Sequence, residues 1–180
     1  LNAQKKINRS ISEMLTEKNV QKLLFNTARQ VKNIIRFDRV MIYKFSEKGH
    51  GQVVAEEKES ELESWLGMNY PASDIPKQAR ELYKINLTRL IADVQVETAA
   101  ISTSADNDAP LDLSFSQLRA VSPIHIQYLK NMVVFSSFSI SLLYKEELWR
   151  LIACHNYTPG SLTISQEIPG KCLVRFYHLP

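Results

Sequence analysis

Between Tyr70 and Pro76 the chain reads Tyr-Pro-Ala-Ser-Asp-Ile-Pro, an acid held between two prolines that each fix φ. Pro71 and Pro76 bias Tyr70 and Ile75 toward extended backbone, so the carbonyls between them fall outside regular helix or sheet. A rigid segment of this kind presents backbone acceptors and the Asp74 carboxylate to a ligand. It equally suits a helix start, with Ser73 or Asp74 as N-cap and Pro76 early in the helix. Two arginines, Arg89 and Arg119, and a serine-rich strand are what carboxylate recognition needs, because a guanidinium fork matches a carboxylate bidentately. Each arginine could instead pair with a local acid such as Asp93 or Asp112. Ser137, Ser139 and Ser141 alternate with Phe138, Ile140 and Leu142, so the hydroxyls share one strand face. They could line a polar pocket, but alternation alone favours solvent. His155 ends an apolar strand face, where a histidine is more often a core residue than a base. His125 lies on the apolar face of a helix. No nucleophile–base–orienter set, glycine-rich phosphate loop or metal-ligand spacing is present, and the signal for an enzyme is weak.

The elements that must position these residues follow from periodicity. Ser10-Ile11-Ser12-Glu13 has capping-box spacing, and Asn19 reads as a second N-cap. Val20, Leu23, Leu24, Ala28, Val31 and Ile34/Ile35 then recur at helical spacing. Alternation predicts a strand over Arg39–Phe45, a turn at Gly49-His50-Gly51 and a second strand through Glu56. A helix follows the heptad to about Ile85, then a short strand over Thr88–Asp93. Residues 94–113 form a long aperiodic loop, a flag for function or disorder. A helix from Pro123 carries His125, Tyr128/Leu129 and Met132 on one face. Strands over Val134–Leu143 and Leu148–His155 come next, and Thr163–Leu179 reads as a helix interrupted by Pro169-Gly170. The order ααββαβαββα predicts an α+β fold, an α/β/α sandwich with a mainly antiparallel sheet.

With 180 residues, 44% hydrophobic and 23% charged, the whole chain is expected to be one globular domain. A net charge of +3 with dispersed lysines argues against nucleic acid. No apolar run is long enough to cross a bilayer and no signal peptide opens the chain. Cys154 and Cys172 lack metal-type spacing and suit a reducing cytoplasm. Leu1 is not an initiator, so a longer parent protein is expected.

Together these residues resemble the GAF domain of a phytochrome, most of all a bacteriophytochrome. The resemblance runs from Phe37-Asp38-Arg39-Val40 to Cys154-His155. It takes in His50-Gly51, the 70–76 heptad, Ala79-Arg80-Glu81-Leu82-Tyr83 and Arg89-Leu90-Ile91-Ala92-Asp93. Leu118 to Pro123, His125, Gln127 to Met132, the serine strand and Leu148-Trp149 continue it. It implies a GAF fold, a central antiparallel sheet with helices on both sides, holding biliverdin or another linear tetrapyrrole. Asp74 would then offer its main-chain carbonyl to the pyrrole N–H groups, with Ile75 and Tyr83 also at the chromophore. His125 would stack beside the inner rings, and Arg89 and Arg119 would clamp one propionate. Ser122, Ser137 and Ser139 would surround the other propionate. Tyr43, Tyr70 and Tyr128 would pack around ring D, whose carbonyl His155 would bind. Light would isomerise the bridge between rings C and D. The family context implies PAS, PHY and histidine-kinase output domains and a homodimer, with no enzymatic activity in this domain. Plant and cyanobacterial members link the chromophore through a Cys where this chain has Ile124, so non-covalent binding is expected. The family's usual glycines are replaced by Val133 and Arg150, which could perturb strand packing. The competing readings are a chromophore-less GAF module for dimerisation or other small-molecule sensing, and a cyclic-nucleotide-binding GAF domain.

Overall fold

Six strands form one antiparallel sheet in the order β3-β2-β1-β6-β5-β4. The computed structural model describes residues 18–102, 111–117 and 119–158. The capping box at 10–13, Cys172 and the expected closing helix lie outside them. In chain order the elements are α1 (Val20–Ile35), β1 (Arg39–Phe45), β2 (Gly51–Lys58), β3 (Asn69–Tyr70) and α2 (Lys77–Ile85). β4 (Thr88–Ile91), α3 (Pro123–Asn131), β5 (Ser136–Tyr144) and β6 (Glu147–Asn156) follow. Asn19 caps α1 as its sequence position predicts, its Oδ1 accepting from the Lys22 amide at 3.1 Å.

α1 covers one face of the sheet. Leu24, Ala28, Val31 and Ile35 pack there on Val40, Ile42, Ala55, Phe138, Ile140, Leu142, Ile152 and Cys154. Fully burying aliphatic side chains of this size contributes about 1.5–3 kcal/mol each. Cys154 is therefore a core residue whose thiol pKa is pushed up by burial.

The opposite face is mixed. Strand register places Arg89, Ser139, Ala153 and Met41 in one row across β4, β5, β6 and β1, and Ile91, Ser137, His155 and Arg39 in the next. α2 and α3 lie on this side, so helices cover both faces, as the fold expectation requires. The preference for solvent at the serine face is thereby corrected. Ser137, Ser139 and Ser141 are all buried, because helices and loops distant in sequence cover a face that alternation alone leaves open.

Two further differences concern the heptad. Asn69–Tyr70 forms the short edge strand β3 against Gly51 and Gln52, too brief to show a period in sequence. α2 has Pro76 as its N-cap residue with no side-chain cap bond, so neither Ser73 nor Asp74 caps it. The Asp74 amide instead donates to the Pro71 carbonyl at 3.1 Å, and Ser73 Oγ donates to Asp74 Oδ1 at 3.4 Å. The strand expected over 88–93 ends at Ile91.

The centre of the sheet joins segments far apart in sequence. The Asp38 amide donates to Asn156 Oδ1 at 2.9 Å, and the Tyr157 amide donates to Asp38 Oδ2 at 2.8 Å. Among the described residues no helix is long and apolar enough to cross a membrane.

Candidate functional site

On the mixed face, between the sheet, α2, α3 and the heptad, lies a cavity of about 600 Å³. Its volume falls in the range of small-molecule and cofactor sites. Asp74, Ile75, Tyr83, Arg89, Arg119, Ser122, His125, Tyr128, Ser137 and Ser139 all line it, so ten sequence-predicted residues meet at one space. Leu82, Ile91 and Val121 supply apolar wall between them. Ile124 lines the cavity as well, and is 80% exposed.

Strand pairing fixes one wall. Arg89 on β4 stands opposite Ser139 on β5, whose Oγ donates to the Arg89 carbonyl at 3.5 Å. The Tyr83 hydroxyl shares a hydrogen bond with Ser139, and burial pushes its pKa up. Arg89 donates from Nη1 to the Gln117 carbonyl at 2.7 Å and from Nη2 to the Arg119 carbonyl, bracing this stretch against the sheet. Arg119 donates from Nη1 to the Ser116 carbonyl at 3.1 Å. Burial lowers the Arg89 pKa, and the Arg119 charge lowers it further. Neither arginine forms an ion pair with an acid among the described residues. Asp93 and Asp112 accept from the Gln95 and Ser114 amides instead. Two like charges on one wall without a counter-ion favour an anionic ligand.

The other end is phenolic and acidic. Tyr43 on β1 shares hydrogen bonds with Tyr128 on α3 and Tyr70 on β3, and the Tyr43 and Tyr70 rings sit 5.6 Å apart. Burial raises the pKa of all three, and Asp74 adds to the rise at Tyr70 and Tyr128. Tyr43 and Tyr70 do not line the main cavity. They border a small recess that Asp74, Ile75 and Tyr128 also border. His125 stacks on Tyr128 with centroids 6.0 Å apart, and burial, then Arg89, lowers its pKa.

His155 is placed differently from the other predicted residues. It lies beside Ser137 in the sheet, off the cavity lining, with the Trp65 ring 6.1 Å away edge-on. It is buried, its pKa is pushed down to about 3 by burial, Arg39 and His125, and its Nδ1 has no hydrogen-bond partner among the described residues. A buried unpartnered nitrogen is costly unless something else satisfies it.

Sequence reasoning missed the support beneath it. Arg39, 1% exposed, pairs with buried Glu56 and donates to the Tyr157 hydroxyl at 3.0 Å and the Glu63 carbonyl at 2.7 Å. Its guanidinium also lies 3.9 Å from the Trp65 ring centroid. Glu56 accepts in turn from Ser64 Oγ at 2.6 Å and from the Trp65 amide at 3.1 Å. An arginine inside an otherwise apolar strand was the available signal, because such a charge must be matched.

The arrangement suits an elongated, largely apolar molecule with carboxylates at the arginine wall and polar groups near Asp74. Arg89 and Arg119, without an acid partner among the described residues, are the groups that the propionates of a linear tetrapyrrole would complement, so the residues fit such a group.

Known proteins bear on this geometry. A family model described as the GAF domain matches residues 19–167. Cyanobacterial phytochrome B of Nostoc sp. is 52% identical over 147 residues, 81% of this chain and 19% of that protein. A bacteriophytochrome of Pseudomonas aeruginosa is 44% identical over 161 residues, 88% of this chain and 22% of that protein. The crystal structure of the chromophore-binding domain of an unusual bacteriophytochrome from R. palustris superposes with a TM-score of 0.89. That likeness, at 33% identity, covers 96% of this chain and 59% of the other. The chain thus spans about a fifth of the length of these two curated relatives (19% and 22%).

Proposed function

The chain belongs to the GAF domain family, and from that premise we propose that it is the bilin-binding photosensory domain of a phytochrome-like red/far-red receptor. We read residues 1–180 as one such domain, with biliverdin or another linear tetrapyrrole as the cofactor. When bound, that group supplies absorption of visible light and isomerisation about a methine bridge. One observation carries the reading: Arg89 and Arg119, without an acid partner among the described residues, share a cavity with Asp74 and Tyr128.

The residues would divide the work by chemistry. Arg89 and Arg119 hold propionate, with Ser122, Ser137 and Ser139 donating hydroxyls beside them. The Asp74 carbonyl accepts from pyrrole N–H groups, and His125 lies against the inner rings. Tyr43, Tyr70 and Tyr128 enclose a terminal ring, with Ile75 and Tyr83 closing the walls and His155 satisfying a ring carbonyl. Ile124, at the position where plant and cyanobacterial members carry the linking Cys, supports non-covalent binding. In the parent protein this domain works beside PAS and PHY domains and a histidine-kinase output, as a cytoplasmic homodimer. The domain itself performs no enzymatic reaction.

Adding biliverdin to the purified chain is the test. The expected outcome is a red or far-red band that photoconverts, and chromophore that separates from the protein on denaturing electrophoresis. Arg119→Ala should weaken biliverdin about tenfold, the loss of a charge-assisted contact of about 1.5 kcal/mol. A chain that stays colourless with biliverdin, also when extended at its N-terminus, would leave the chromophore-less module in place of this reading.

A further inference from the structure

A single guanidinium joins the heptad to the sheet. Arg80, in the first half of α2, donates from Nη1 to the Ile75 carbonyl at 2.9 Å and to the Gly49 carbonyl at 3.1 Å. Gly49 belongs to a tight turn between β1 and β2. There the Ser46 amide donates to the His50 carbonyl at 2.9 Å, the Gly49 amide to the Ser46 carbonyl at 2.8 Å and the His50 amide to Ser46 Oγ at 3.1 Å. The turn is therefore fixed to β1, the strand that carries Tyr43. Glycine is required at its tip for two reasons. Its φ is +83°, and a Cβ there would come within 2.7 Å of Arg80 Nη1.

Arg80 thus links two segments whose separation defines one end of the site. The small recess bordered by Tyr43, Tyr70, Tyr128, Asp74 and Ile75 is also bordered by Gly49. With the Ile75 carbonyl turned to Arg80, the adjacent Asp74 carbonyl, which accepts from no described residue, is left open. The heptad has few other ties. α2 begins without a side-chain cap, and β3 pairs with β2 at only two positions.

The geometry points to Arg80 as a positioning residue that sets the height and orientation of the Asp74 peptide against the tyrosine cluster. Arg80 acts through Ile75 and Gly49 rather than by touching the ligand, and it is absent from the cavity lining. This rests on the bilin-binding reading above.

The experiment compares wild type, Arg80→Met, Arg80→Lys and Gly49→Ala with a destabilised control, Ile34→Ala, whose side chain packs on the α1 face away from the site. Each is titrated with biliverdin and followed by absorption spectrum, photoconverted fraction and thermal midpoint. Arg80→Met is expected to weaken biliverdin by roughly tenfold, to shift and broaden the long-wavelength band and to reduce photoconversion. Gly49→Ala, which displaces the guanidinium without removing it, should reproduce the spectral change, and Arg80→Lys should restore part of the affinity. Ile34→Ala should lower the midpoint and leave band position unchanged. If Arg80→Met, or Gly49→Ala should Arg80→Met fail to fold, keeps the wild-type band and photoconversion, Arg80 is only structural and the inference falls alone. A wild type that stays colourless, also when extended at its N-terminus, overturns the bilin reading and the inference with it.

Discussion

Val133 holds φ at +58° immediately after α3, a conformation in which a β-branched side chain is strained. The surrounding bonds show why it stays there. The Val133 amide donates to the Lys130 carbonyl and the Val134 amide to the Leu129 carbonyl, both at 2.9 Å, the pattern of a helix end closed by a left-handed residue. At 64% exposed, the Val133 side chain contributes little packing. Val133→Gly is therefore expected to stabilise the fold by about 1 kcal/mol, raising the melting midpoint by about 2–4 °C in calorimetry. His155 gives a pH signature of opposite origin. An imidazole with an ordinary pKa of 6.5 binds a proton in the unfolded chain well before the folded one does, near 3. Between those values the unfolded state holds more protons, so stability falls as pH falls. His155→Leu should flatten the dependence of unfolding free energy on pH between about pH 6 and pH 4 by about 1.4 kcal/mol per unit, measured by urea titration. The site's residue types were legible in sequence, since two arginines, a fixed acid and three serines are a chemical set. That His155 would lie off the lining against Trp65 was not, because Trp65 reaches it from a loop with no periodicity.

At the level of elements, the Arg39–Glu56 pair fastens the 59–68 connection to β1 and β2 through Glu63, Ser64 and Trp65. Both side chains are almost wholly buried, so breaking one partner strands a charge in a medium that cannot solvate it. Arg39→Met alone should cost about 3–5 kcal/mol by chemical denaturation, whereas Arg39→Met with Glu56→Leu should recover much of that loss. Strands and helices were legible where their pattern is long. Asn19 capped α1 as expected, and β1, β5 and β6 form where alternation of residue type placed strands. The short β3 and the choice of buried face for β5 were not. A two-residue ladder leaves no period, and alternation separates two faces without saying which one later segments will cover. The same limit applied to Ser73 and Asp74, whose types suit a cap but whose hydrogen bonds stay within the heptad.

For the molecule as a whole, the sheet separates structural from functional burial. The α1 face is apolar and closed, and the opposite face keeps hydroxyls, guanidiniums and imidazoles around a space. Filling that space should stabilise the fold by about 2.7 kcal/mol at a hundredfold excess over the dissociation constant, seen in thermal shift as a melting midpoint that rises with ligand concentration. The seam between β1 and β6 has a kinetic consequence. Asp38 meets Asn156 across 118 residues, so the central pairing closes a very long loop, and such topologies cross their folding barrier slowly. Every cavity-lining residue, from Ser73 to Ser139, is carried on the chain inside that loop. The heptad is tied to β1 and β2, whereas Arg89, Ser137 and Ser139 lie on β4 and β5 across β6. Closing the seam therefore brings the two walls of the receptacle together and ties ligand capture to the meeting of the two most distant strands.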